Sequence, residues 1–181
     1  MIYFTSDTHL FHTNIIKYSN RPFENTYYMN KHIIKSWNKV VSPEDDIYFL
    51  GDFALKSNIN YAKSILSILN GKKYFLKGNH DKIDYLEDFQ NSKLIEWWKY
   101  SHDFSFEFEG ETYNFSLSHY PHYPLKGSDL ICLHGHSHGA SEHRIKHFPY
   151  KGVLDVGVDS VGYEPISIIK IIEIIERQRQ Q

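Results

Sequence analysis

The sequence predicts an α/β fold in which parallel strands alternate with helices before an antiparallel hairpin, and three observations predict it. The first half reads strand, helix, strand, helix, strand, an order that joins parallel strands through crossover helices. The second half changes to the two-residue alternation of a hairpin over residues 102–118. The predicted strands also run into short clusters containing Asp, Asn or His, at the carboxyl ends where open α/β sheets collect ligands.

Residues 2–6, Ile-Tyr-Phe-Thr-Ser, are mostly β-branched or aromatic and read as a buried strand entering Asp7, followed by a loop. Met29, Ile33, Trp37, Val40 and Val41 recur at helical spacing over 27–41, and Ser42-Pro43 stops the pattern. Asp46–Leu50 is a second buried strand, with Gly51-Asp52 at its end. Ile59, Ala62, Ile65, Leu66 and Leu69 mark another helix, which Asn70-Gly71 closes in the manner of a C-cap. Lys73–Leu76 gives a third strand before Gly78-Asn79-His80-Asp81. In the hairpin, Phe104, Phe106 and Phe108 alternate with polar residues, Glu109-Gly110 turns, and Tyr113, Phe115 and Leu117 alternate on the way to His119. Leu130–Leu133 is a short strand before Gly135-His136-Ser137-His138-Gly139, and residues 152–158 supply one more. The tail from Ser167 to Arg177 fits a helix or a strand, because its many isoleucines are β-branched; the helix is preferred.

At 181 residues the chain fits one domain over 1–181 with no inserted cap. Hydrophobic residues at 41% and charged residues at 23% suit a globular chain rather than a disordered one. Twenty basic against 22 acidic residues leave a net charge of -2, so no general field draws in duplex nucleic acid, and tight nonspecific binding to it is not expected. Cys132 is the only cysteine, which excludes an internal disulfide framework and suits a reducing compartment. No apolar run approaches the roughly 20 residues of a membrane span and no signal-peptide pattern opens the chain, so a cytoplasmic location is the expectation.

Twelve histidines point to where the chemistry sits. Five short elements end on metal-ligand residue types: Asp7-Thr8-His9, Gly51-Asp52, Gly78-Asn79-His80-Asp81, His119 and Gly135-His136-Ser137-His138. Each alone is weak, since an aspartate after a strand is often a cap or turn former. Together they suit a phosphate ester, whose oxygens repel nucleophiles and whose attacking water is weak at neutral pH. Two ions roughly 3.5–4 Å apart answer both problems by lowering the pKa of a shared water and neutralising charge.

The five elements, in this order, resemble the calcineurin-like metallophosphoesterase superfamily, whose signature is Asp-x-His, Gly-Asp, Gly-Asn-His-Asp or Glu, a single His and Gly-His-x-His. The match runs from Asp7 to His138, about three quarters of the chain. More narrowly, Asn14-Ile15-Ile16-Lys17, Arg21-Pro22-Phe23, the stretch 154–159 and Pro165-Ile166-Ser167 resemble a group of small phage and bacterial phosphoesterases. The resemblance implies an α/β sandwich of two facing mixed β-sheets flanked by helices. It implies that Asp7, His9 and His138 bind one metal, that Asn79, His119 and His136 bind the other, and that Asp52 bridges them. His80 would face the scissile phosphate as the catalytic group, and Asp81 would orient it through its other ring nitrogen. Relatives often have glycine where Phe11 stands, so the loop between His9 and His12 is a departure.

Substrate contacts are expected from Asn79, from His12 and from Arg21, whose guanidinium can grip two phosphate oxygens; the bland alternatives are loop packing for His12 and a surface ion pair for Arg21. Tyr120-Pro121-His122-Tyr123-Pro124 either walls the pocket or forms a rigid loop. His134 is read as structural, His102, His143 and His147 as solvated, Cys132 as core, and Trp97 and Trp98 as packing residues on opposite sides. A dinuclear phosphoester hydrolase is the leading function, with a phosphodiesterase on a nucleotide or nucleic-acid-derived small substrate preferred over a phosphomonoesterase. The rivals are a nuclease on long nucleic acid and a catalytically silent metal-binding scaffold; retention of His80 disfavours the scaffold. Imidazole, carboxylate and amide donors suit manganese first, with iron, nickel or zinc open.

Overall fold

The computed structural model describes residues 1–55, 58–139 and 151–180. Among these, two mixed β-sheets face each other with helices on their flanks. The first sheet has the order β4-β3-β2-β1-β9, built from β1 (Ile2–Thr5), β2 (Asp46–Phe49), β3 (Lys72–Leu76), β4 (Trp97–Lys99) and β9 (Ile166–Ser167). Four of these strands run parallel, and β9 pairs antiparallel to β1. The second sheet, β5-β6-β7-β8, comprises the hairpin β5 (Ser101–Phe108) and β6 (Glu111–Ser118), then β7 (Ile131–His134) and β8 (Val153–Asp155) in parallel.

Alternation along the strands divides the core in two. Tyr3, Ile47, Phe49 and Phe75 face the layer holding α2 (Thr26–Val40), α3 (Ile59–Ile68) and α4 (Ile83–Asn91), where Met29, Ile33, Trp37, Leu66 and Phe89 meet them. Phe4, Leu50 and Leu76 point the other way, against Phe115, Leu117, Ile131 and Leu133 of the second sheet and Ile171 and Ile175 of α6 (Ile168–Gln180). Trp97 joins this second layer and Trp98 the first, as adjacent strand residues must.

Several elements depart from expectation. The loop after β1 contains a short helix, α1 (Thr13–Tyr18), which buries only Ile15. The α4 helix, which buries Leu86 and Phe89 at helical spacing, is an element beyond those expected, and β4 at three residues is too short for a periodic signal. The α3 helix ends at Ile68 with Leu69 in extended conformation, so Gly71, at φ +88°, starts the turn into β3 rather than capping the helix. Residues 152–158 divide into β8 and the start of α5 (Val158–Val161), and the isoleucine-rich tail divides into β9 and α6. His102 is half-buried rather than solvated: its ring lies 4.9 Å from that of Trp97 and 5.7 Å from that of Tyr48, and burial lowers its pKa. His143 and His147 lie outside the described residues. No described helix is long and apolar enough to cross a membrane.

Candidate metal centre

The turns after β1 and β2 are zipped together beyond the sheet. The amides of Asp7, His9 and Leu10 donate to the carbonyls of Gly51, Asp52 and Phe53 at 2.9–3.0 Å, and the Thr8 hydroxyl donates to the Phe53 carbonyl at 2.7 Å. This network holds a strained backbone. Asp7, His9, Asp52, His136 and His138 all sit at positive φ, between +46° and +65°, a region that non-glycine residues enter at a cost of roughly 1–3 kcal/mol each. Five of the seven expected ligands share this conformation, so the strain is concentrated where side chains must converge.

Each aspartate is held by one oxygen and offers the other. Asp7 Oδ2 accepts from the Ser6 hydroxyl at 2.6 Å and the His136 amide at 2.8 Å; Asp7 Oδ1, fully buried, has no hydrogen-bond partner. Asp52 Oδ1 accepts from the His80 amide at 2.8 Å, while Oδ2 faces His9 Nε2 and His119 Nε2, both at 3.5 Å. Asp7 Oδ1 lies 3.7 Å from His9 Nε2 and 3.8 Å from His138 Nε2. These gaps exceed a hydrogen bond, yet they approach the roughly 3–3.5 Å between two donors bound to one ion at about 2.1 Å each. His9 Nε2 is itself buried without a hydrogen bond. Burial alone would raise the Asp7 carboxyl, but the imidazoles of His9, His119 and His138 and the Ser6 hydroxyl outweigh it and bring its pKa down to about 2.

The remaining expected ligands converge on Asn79. Its Oδ1 lies 2.9 Å from His119 Nε2 and 3.0 Å from His136 Nδ1. His119 Nδ1 meets the Leu50 carbonyl at 2.8 Å, which leaves Nε2 to face the cluster. Burial and the neighbouring His119 lower the pKa of His136, favouring a neutral ring. Donor atoms of Asp7, His9 and His138 lie within 4.8 Å of one another, as do those of Asp7, Asp52 and His119, so Asp7 belongs to both groups. Buried, unpartnered acceptors of carboxylate and imidazole type fit divalent cations.

Backbone approach explains the motif glycines. A Cβ on Gly135 would collide with Ser6 Oγ and Asp7 Oδ2, and one on Gly78 with the Asp52 carboxylate.

Two expected roles change. Arg21 is not placed to clamp a substrate: its side chain is fully buried and every N–H is used. Nε and Nη2 grip the two Asp159 oxygens at 2.8 Å each, Nη2 also donates to the Asp7 carbonyl at 2.7 Å, and Nη1 donates to the Thr8 carbonyl at 2.9 Å and meets Met29 Sδ at 3.4 Å. Asp81 does not hold the His80 ring: its carboxylate accepts from the amides of Asp52 at 2.7 Å, Gly78 at 2.8 Å and Phe53 at 3.1 Å, and so fixes the turn that carries Asp52. Burial and the Asp52 charge raise the Asp81 pKa. The residue missed altogether is Asp159, whose Oδ2 lies 2.7 Å from His138 Nδ1. Its only sequence signal is the stretch 154–159, which carries no ligand spacing.

His80 stands exposed at the mouth, its ring 5.5 Å from that of His9. A cleft of about 550 Å³ runs from His9, His80 and His138 past His12 to Tyr18. On the opposite side the Tyr120 ring packs 4.7 Å from His136 and 5.1 Å from His119, so this part of the Tyr120–Pro124 stretch walls the centre. Structural His134 is fully buried on β7, and Cys132 is core.

The family model described as calcineurin-like phosphoesterase matches residues 1–160. An uncharacterised protein of Methanocaldococcus jannaschii is 38% identical over 183 aligned residues, covering 97% of this chain and 92% of its own. The gene 66 protein of Mycobacterium phage L5 is 23% identical, covering 88% of this chain and 87% of its own. Among solved structures, a protein of unknown function from Aquifex aeolicus superposes with a TM-score of 0.68 at 27% identity, over 96% of this chain and 98% of that one.

Proposed function

The chain belongs to the calcineurin-like phosphoesterase family, and from that premise we propose that it is a dinuclear-metal phosphodiesterase acting on a nucleotide or nucleic-acid-derived substrate. The observation that carries this reading is the convergence of Asp7, His9, Asp52, Asn79, His119, His136 and His138, with buried acceptors on Asp7 and His9 that no protein donor satisfies. Asp7, His9 and His138 would hold one ion, Asn79, His119 and His136 the other, and Asp52 would serve both through Oδ2, the oxygen that faces His9 and His119. Bound there, two divalent ions supply a water of lowered pKa and neutralise phosphate charge.

The chain's own groups do the rest. His80 is exposed on the cleft with its backbone tied to Asp52, so its ring can reach a leaving oxygen and give it a proton. Asp81 acts through the backbone of Asp52. Asn79 and His12 meet the substrate, and Tyr18 and Tyr120 offer exposed rings on two sides of the centre for a base to stack on. The open cleft supports a diester over a monoester, because a second ester group has room to leave the centre.

Metal-stripped protein is to be assayed on bis-p-nitrophenyl phosphate and p-nitrophenyl phosphate with and without manganese, beside His80→Ala. Manganese-dependent turnover that favours the diester and is lost in the variant is the expected result. Two bound ions with no turnover of either ester would overturn it.

A further inference from the structure

We infer that Asp159, clamped by Arg21, is a positioning residue that sets which ring nitrogen of His138 carries the proton and thereby makes the His138 half of the centre the tighter ion site. The inference rests on the reading of this cluster as an ion site, but not on what the site hydrolyses.

The chain of contacts is short and runs from a fully buried Arg21 to a half-buried His138. His138 Nδ1 lies 2.7 Å from Asp159 Oδ2, and its Nε2 points toward Asp7 Oδ1 at 3.8 Å. A carboxylate can only accept, so the proton sits on Nδ1 and the lone pair of Nε2 faces the cluster. Asp159 stays ionised because Arg21 grips both its oxygens from a fully buried position, where the pair is little screened. The same guanidinium takes the carbonyls of Asp7 and Thr8, so it also pins the left-handed turn that carries Asp7 and His9. Arg21 and Asp159 are 138 residues apart and join the turn after β1 to α5.

The other half of the centre has no such support. His119 Nδ1 is held by a neutral carbonyl, that of Leu50. His136 and Asn79 are exposed, and the His136 ring meets the Asn79 amide oxygen rather than a carboxylate. A carboxylate behind a ligating imidazole makes it more basic than a carbonyl does. The two ions should therefore bind unequally.

Asp159→Asn replaces one acceptor oxygen by an NH₂ group. With the NH₂ in the place of Oδ2 it meets the His138 Nδ1 proton and drives the ring toward the Nε2–H tautomer that cannot ligate through Nε2; turned the other way it meets Arg21 Nε–H, breaks the two-pronged grip and leaves the His138 Nδ1 proton a neutral, weaker acceptor. The test is ¹⁵N–¹H correlation of the histidine rings in metal-stripped protein at alkaline pH, where the rings are neutral, together with calorimetric titration of manganese. Wild-type protein should show His138 protonated on Nδ1. Asp159→Asn should shift that signal and weaken the tighter manganese site by roughly 10–100-fold while moving the looser one less than about threefold; Arg21→Lys, which keeps charge and loses the two-pronged grip, should fall between. A wild-type His138 protonated on Nε2 would overturn the inference without any variant, and so would an unchanged tighter site in Asp159→Asn. If that variant does not fold, the wild-type tautomer and Arg21→Lys decide. Turnover is not read, so absence of hydrolysis would count against the proposed function and leave this inference standing.

Discussion

The buried and exposed halves of the centre are built by different means. Asp7, His9, Asp52 and His119 are at most 2% exposed, and backbone amides or carbonyls fix them from behind. Asn79, His80 and His136 are exposed, on turns whose side chains meet solvent. The difference separates a rigid floor that would hold the ions from an open rim, where Asn79 and His136 would complete the second ion site and His80 meets solvent. A cation needs donors that cannot relax, and strained backbone locked by a hydrogen-bond network supplies them. A group that passes a proton to a substrate must be reachable.

Four substitutions test that division. Asp52→Asn should have the largest effect, because Oδ2 faces donors of both expected ion sites; turnover should fall by about 10³-fold or more and the metal content measured by mass spectrometry should drop with it. His80→Ala should lower kcat by roughly 10²–10⁴-fold, with both ions retained. If His80→Ala loses metal, His80 holds as well as reacts, and its separation from the ion-holding residues fails. Gly135→Ala drives a methyl group against Ser6 and the Asp7 carboxylate and should cost about 1–3 kcal/mol in urea unfolding of the metal-free protein, with weakened metal binding. Asp81→Asn discriminates two uses of one carboxylate. Loss of metal would show that it acts through the Asp52 turn, as its three amide contacts indicate, whereas loss of turnover at full metal occupancy would return it to the His80 ring.

The same division explains what was legible in the sequence. The ends of β1, β2, β3, β6 and β7 were readable because each ligand follows its strand within a few residues and, after β2, β3 and β7, glycine marks the close approach. The two-sheet architecture was reached through resemblance; strand alternation alone gives the order of elements in the first half but not which sheets face each other. Arg21 was misread because a free guanidinium and a buried one look alike until Asp159, far along the chain, is folded against it. Asp81 was misread because a carboxylate beside a histidine in sequence suggests the ring, while its geometry reaches three amides. The α1 helix, six residues against the 15 of α2, buries one side chain and has no side-chain cap bond, so it leaves no pattern to find.

Phe11 tests the contrast at its weakest point, since it lies on the loop beside the buried half with a φ of +66°, a region that glycine enters without steric cost. Phe11→Gly should therefore regain about 1 kcal/mol of strain and lose a similar amount through the ring's packing, including its contact with Tyr61 at 6.2 Å, and through the freer unfolded chain. A midpoint in urea within about 1 kcal/mol of wild type is expected. Metal binding should be unchanged, because the loop is held by backbone bonds from Leu10 to Phe53, Leu55 to Leu10 and His12 to His9, none of which uses the Phe11 ring. Loss of metal in this variant would mean that side-chain packing, rather than the zipped backbone, keeps His9 in place, and the account of how the buried half is held would have to be rebuilt on the ring.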